Sequence, residues 1–151
     1  MFNAIYLYRL SHWLYRYHIP ILPKLITLLI FLIYNSKIPA QVKIGKGSMF
    51  DYGGIGVVIH QDAVIGQNCY IGHVVTIGGG NSKYPGCPVI GDNVTINRGS
   101  IVFGGITIGN NVVIGANAVV NFPCPDNAVV VGNPGRIVRI RQTPSDGQLM
   151  T

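Results

Sequence analysis

The sequence contains no glutamate, and its only acids are five aspartates against eleven Lys and Arg. The net charge of +6 gathers at the two ends. Arg9, Arg16, Lys24, Lys37, Lys43 and Lys46 lie in the first third, and Arg136, Arg139 and Arg141 near the close. Such a balance suits an anionic lipid or a polyphosphate ligand. Nucleic acid is not expected, because no basic-aromatic binding module is visible. Cysteine is scarce: Cys69, Cys87 and Cys124 are odd in number and fall in no CxxC spacing. That excludes a disulfide framework and a Cys-based zinc site, and no metal is expected. The longest apolar run, Leu25 to Tyr34, has ten residues, well short of the roughly twenty that span a bilayer. No cleavable leader is read either, since Arg9 and Arg16 lie among aromatics and no A-x-A-like site follows the apolar run. The expected location is cytoplasmic, with a peripheral place at the inner face of the membrane left open.

What the chain has is a count of six. Ile59, Ile65, Ile71 and Ile77 are followed, after an interruption, by Ile90, Ile96, Val102, Ile108, Ile114 and Val120. Gly follows in most steps, and four places after an apolar residue Ala63, Val75, Val94, Val112 and Ala118 return. Six is a multiple of the strand period, so every marked residue points to the same side. On an α-helix the same residues would sit about 120° apart and form no stripe. The Val and Ile content favours strand, and the Gly and Asn between favour tight corners. The reading is a solenoid with isoleucines stacked inside.

Val75-Thr76-Ile77-Gly78-Gly79-Gly80, Ile114-Gly115-Ala116-Asn117-Ala118-Val119-Val120 and Val130 to Val138 resemble the hexapeptide-repeat acyltransferases. The likeness is to the serine O-acetyltransferase branch and its sugar-modifying relatives, over roughly Ile38 to Arg141. It implies an all-β, left-handed parallel β-helix, a homotrimer, and acetyl-CoA bound between subunits as the acetyl donor. The expected organisation is a hydrophobic helical segment over 1–37, the β-helix over 38–141 and a disordered tail over 142–151.

Residues 2–17 read as a helix rich in Tyr and Arg that Pro20 and Pro23 break, and Leu25–Tyr34 as a second, apolar helix. This segment (1–34) packs between subunits or touches a membrane surface. Two surpluses interrupt the count: three residues within Asp51–Gly56, and the longer insertion Gly79–Pro88. Extra residues in a solenoid bulge onto one face, often the binding face.

Acetyl transfer to a hydroxyl needs a general base, and His is the usual one near neutral pH. His12 and His18 read as helix-edge residues. His60 follows the inward Ile59 beside the first surplus and is the first candidate; His73 is the second. Asp51 and Asp62 are the carboxylates on offer to orient the base. The resemblance places the family's Asp-His pair at Asp51-Tyr52, or at Tyr52-Gly53 if the extra residue is placed differently, so His is missing there and Asp51 and Tyr52 join the catalytic candidates. The family's upstream Asp falls near Lys37 and is missing too. For acetyl-CoA the resemblance picks out Gly78, Gly79, Lys83, Asn97, Arg98, Ala116 and Ala118, with Arg136 and Arg139 for the phosphates.

The family's Arg-His-Pro, which helps hold the amino acid, reads Gly86-Cys87-Pro88 here. A neutral triplet and an apolar N-terminus favour a sugar hydroxyl, in a surface polysaccharide or its lipid-linked precursor, over serine. The function expected first is therefore a sugar O-acetyltransferase with a His base. Serine O-acetyltransfer is the alternative, and a non-catalytic trimeric scaffold the rival of another class. Cys87 is not expected to act as nucleophile, because nothing in the sequence places a base beside it. A hydrolase metal site is not expected, since His60 and His73 lack a third ligand.

Overall fold

The computed structural model describes residues 2–83 and 85–142. The disordered tail expected over 142–151 lies, Gln142 apart, outside the described residues. Helix α1 (Ala4–Arg16) starts where the Asn3 side chain accepts the Ile5 N–H, and ends on a basic residue suited to its C-terminal dipole. Helix α2 (Leu22–Tyr34) is longer than the apolar run suggested, because Pro23 opens it instead of breaking it. Proline is accepted in a first turn, where its missing N–H has no helical partner to lose. Asn35, in the left-handed conformation at φ 52°, closes α2. Among the described residues no helix is long and apolar enough to cross a membrane.

The helices rest on the start of the solenoid through side chains that cap backbone groups. Asn3 donates to the Phe50 carbonyl at 2.7 Å, His12 Nδ1 meets the Ala40 carbonyl at 2.7 Å, and the Arg9 guanidinium donates to the Ile44 and Gly45 carbonyls. The Tyr8 hydroxyl donates to the Val42 carbonyl, and burial pushes its pKa up to about 12.

Twelve short strands then run three to a coil. They are β1 (Lys43–Ile44), β2 (Met49–Phe50), β3 (Val58–Ile59), β4 (Val64–Ile65), β5 (Tyr70–Ile71), β6 (Thr76–Gly78), β7 (Val89–Ile90), β8 (Thr95–Ile96), β9 (Ile101–Phe103), β10 (Thr107–Ile108), β11 (Val113–Ile114) and β12 (Val119–Val120). Each pairs in parallel with the strand three places on, giving the faces β1-β4-β7-β10, β2-β5-β8-β11 and β3-β6-β9-β12. This is the parallel solenoid that the count of six predicts, and it fits the left-handed β-helix that the resemblance implies. The register stacks Ile44, Ile65, Ile90 and Ile108 on one face. It stacks Phe50, Ile71, Ile96 and Ile114 on the second, and Ile59, Ile77, Val102 and Val120 on the third. The ten counted residues are at most 2% exposed, and each is worth about 1.5–3 kcal/mol of transfer free energy.

After β12 the chain adds β13 (Ala128–Val131), parallel to β11, and β14 (Arg136–Ile140), antiparallel to β13. The second of these closes the face as a hairpin, which a count of parallel steps does not contain.

The corners after the first and second faces take a left-handed residue at the third place after the stacked one, and Gly47, Asn68, Asn93, Gly99, Asn111 and Asn117 supply it. Val74 is the exception, at φ 57° with a β-branched side chain. That conformation costs about 1–2 kcal/mol for a residue with a Cβ, and Asn tolerates it best after Gly. Val74→Asn is therefore expected to raise stability by about 1 kcal/mol, read as a higher thermal midpoint. The strained residue directly follows His73.

Candidate active site

The sequence candidates fall on the two edges of one face, β3-β6-β9-β12. On the first edge the backbone register puts Asp51 and Tyr52, His73, Arg98 and Ala116 on successive coils. Hydrogen bonds from Gly99 N–H to the His73 carbonyl and from Asn117 N–H to the Arg98 carbonyl tie these corners together. The first surplus is a tight 3-10 turn over Asp51–Gly54, in which Tyr52 takes φ 45° and Gly53 φ 72°. It folds Asp51 and Tyr52 back over the next coil. Asp51 Oδ2 lies 3.4 Å from His73 Nδ1, and the Tyr52 ring stands edge-on to the imidazole with centroids 5.1 Å apart. The Tyr70 hydroxyl donates to the same carboxylate. That bond, more than His73, holds the Asp51 carboxyl below its ordinary value, and it raises Tyr70 in turn. With an ionised carboxylate at Nδ1, the His73 proton belongs on that nitrogen, leaving the Nε2 lone pair to accept one.

His60 stands on the second edge, beside Gly78 and Gly79. A Cβ on Gly79 would come within 3.1 Å of the His60 ring. The long insertion returns Cys87 to this place: its Sγ lies 3.1 Å from His60 Nδ1. The same nitrogen accepts the Asp62 N–H at 3.2 Å, and the Asp62 carboxylate is 3.8 Å away. Two donors facing Nδ1 fix the opposite tautomer to that of His73, with the proton on Nε2. Sequence reading set no base beside Cys87; the fold does, across 27 residues of chain. Burial and then the Asp62 carboxylate raise the Cys87 thiol above its ordinary pKa, so it remains protonated. The atoms of His60, Asp62 and Cys87 lie within 4.8 Å of one another, a spacing open to a metal ion. The Nδ1 lone pair such an ion would use is already engaged by the Asp62 N–H.

The edges are six residues apart from His73 to Gly79, about 20 Å of extended chain. Of the remaining candidates, Lys83 is exposed in the insertion, Arg98 and Ala116 are exposed on the first edge, and Arg136 and Arg139 are exposed on β14. Asn97 is spent on structure, its amide donating to the Ile114 carbonyl at 2.8 Å. Ala118 is wholly buried and fills the coil, so it cannot line a groove. Tyr70 was missed; its alternation as the outward partner of Ile71 was the available signal. Asp62 was weighed and belongs with His60.

A parallel solenoid built on a count of six, with Gly and Asn at its corners, is the architecture of the hexapeptide transferases. The family described as "Bacterial transferase hexapeptide (six repeats)" matches residues 87–121. The serine acetyltransferase of Synechococcus elongatus is 37% identical over 153 residues, covering 99% of this chain and 62% of its own. That of Helicobacter pylori is 35% identical over 137 residues, covering 90% and 80%. Among solved structures, Neisseria gonorrhoeae serine acetyltransferase superposes with a TM-score of 0.86 at 34% identity, over 97% of this chain and 58% of that one. A serine acetyltransferase in complex with CoA gives 0.81 at 34%, over 89% and 55%. The chain belongs to the hexapeptide-repeat acyltransferase family, with serine acetyltransferases as its homologues. It spans 62–64% of the length of the first curated relatives it matches.

These relatives overturn the sugar O-acetyltransferase expected from the sequence. Homologues at 35–40% identity over most of the chain are named for serine, and none of those described here for a polysaccharide. Gly86-Cys87-Pro88 is neutral along the chain, but in space His60 puts an imidazole 3.1 Å from Cys87, so the place is not without one.

Proposed function

We propose that the protein is an acetyl-CoA-dependent serine O-acetyltransferase, and that the pairing of His73 with Asp51 carries its chemistry. His73 Nε2 takes the proton of the serine hydroxyl, whose oxygen attacks the thioester carbonyl directly and expels the CoA thiolate. The proton then passes from His73 to the leaving sulfur. Asp51 fixes the tautomer and steadies the imidazolium as it forms. The His and Asp missing from the family's motif positions are thus replaced in space by another His–Asp pair, which answers the scaffold reading.

His60, named first as base from the sequence, has the wrong tautomer for that task. Its Nε2–H suits it to donate a hydrogen bond to the acceptor's carboxylate, with Gly79 leaving room beside it. A protonated Cys87 has no nucleophilic part. Because His73 and His60 lie on opposite edges, a site using both joins the first edge of one copy to the second edge of a neighbour, which supports a closed homo-oligomer such as the trimer the resemblance implies. Gly78, Gly79, Lys83, Arg98 and Ala116 remain the candidates for the pantetheine arm, with Arg136 and Arg139 for its phosphates. L-serine as sole acceptor is expected to drive saturable CoA release from acetyl-CoA by the purified protein.

A further inference from the structure

A cavity of about 530 Å³ lies where the helices meet the first coil, with Gln61, next in sequence to His60, in its wall. Arg16, His18, Lys24 and Lys37 line it with Gln41 and Gln61, and no acidic side chain does. The ion pairs found among the described residues are His60–Asp62 and His73–Asp51, so none of Arg16, Lys24 and Lys37 is paired with an acid. The first acid in the sequence is Asp51. The cavity is therefore an uncompensated cationic pocket, suited to a phosphate group.

The pocket adjoins an apolar surface. Lys24 heads a helical stripe that continues through Leu28 and Phe31, four and seven residues on. Beside that stripe Leu25, Leu29, Leu32 and Ile33 are exposed, Leu32 to 70%. Beyond it Trp13, Tyr15 and Tyr17 are exposed around Arg16 at the end of α1. Apolar residues over one helix face, aromatics at its margin and cations beside them make the pattern of a segment lying in a bilayer interface. Residues 2–50 hold no acid, so the charge of this face complements an anionic surface and not a second copy of the same segment.

We infer that this surface docks on an anionic membrane, the cavity taking a lipid phosphate headgroup and the outer face of α2 the adjoining acyl region. The test is sedimentation of the full chain with vesicles of phosphatidylcholine, or of phosphatidylcholine mixed equally with phosphatidylglycerol. Binding is expected to the mixed vesicles alone and to fall with added salt. Lys24→Gln, an exposed change that leaves the fold intact by circular dichroism, is expected to weaken it about fivefold. Leu32→Ser is expected to weaken it as well. Equal binding to both vesicles, or to neither, would overturn the inference. So would loss of vesicle binding on adding soluble CoA, which would give the cavity to a soluble phosphate ligand. A light-scattering mass that falls on Leu32→Ser without any vesicle binding would give the face to a second copy.

Discussion

Replacing His73 with alanine is expected to lower kcat for acetyl transfer about a thousandfold, with KM for acetyl-CoA changed by no more than about twofold. The base acts only as the hydroxyl proton moves, so ground-state binding of the donor does not need it. Asp51→Asn should cost less, because it weakens the hold on Nδ1 without removing the imidazole. Asp51 also has a defined pH signature. Its carboxyl is held below the ordinary value first by the Tyr70 hydroxyl and then, after an opposing contribution from burial, by His73. A depressed folded pKa gives a contribution fully present above the unfolded value, about 3.9, and lost only as pH falls through the lower folded one. The orienting carboxylate thus stays ionised through mild acid. In Tyr70→Phe the carboxyl should return toward its ordinary value, moving the onset of acid destabilisation upward. Circular dichroism against pH reads that change directly.

Ile96→Ala is expected to lower stability by about 3 kcal/mol, measured as a shift in the urea midpoint at unchanged slope. Ile96 is wholly buried and in register between Ile71 and Ile114, so truncation opens a cavity walled by two neighbouring coils. Collapse around it is restricted, because moving either neighbour disturbs the ladder on both sides. Ile101, one corner on, has its side chain on the outer face and is 39% exposed. Ile101→Ala should therefore cost about 0.5 kcal/mol. Two isoleucines five residues apart separate the stacked interior from the solvated exterior.

That contrast shows how much of the fold could be read in advance. Burial in a solenoid is decided by a local period, so the ten counted residues, their small or β-branched companions and the corner asparagines could be placed without any distant contact. The two surpluses could be located for the same reason, as breaks in the count. Pro23 was misread because its effect depends on its place in the turn, which the sequence does not mark. The β14 hairpin was missed because antiparallel return does not follow the six-residue rule.

The site was less legible than the coil. His60, His73, Asp51, Tyr52 and Gly79 were all singled out. What the sequence does not hold is which carboxylate meets which imidazole, because that depends on how each surplus folds over its neighbour. The 3-10 turn at Asp51–Gly54 sends Asp51 to His73, while the insertion sends Cys87 to His60. Those contacts set opposite tautomers on the two imidazoles, and so separate a proton acceptor from a donor. Reading Cys87 as the loss of an imidazole led to the wrong acceptor class.

The most direct test of the account is steady-state CoA release from acetyl-CoA by the purified protein, with L-serine as the varied acceptor and O-acetylserine identified by mass. The account predicts saturable, serine-dependent release that falls about a thousandfold in His73→Ala. Serine-dependent release undiminished in His73→Ala would contradict the assigned base. No release with serine from a protein that binds CoA would contradict the proposed function.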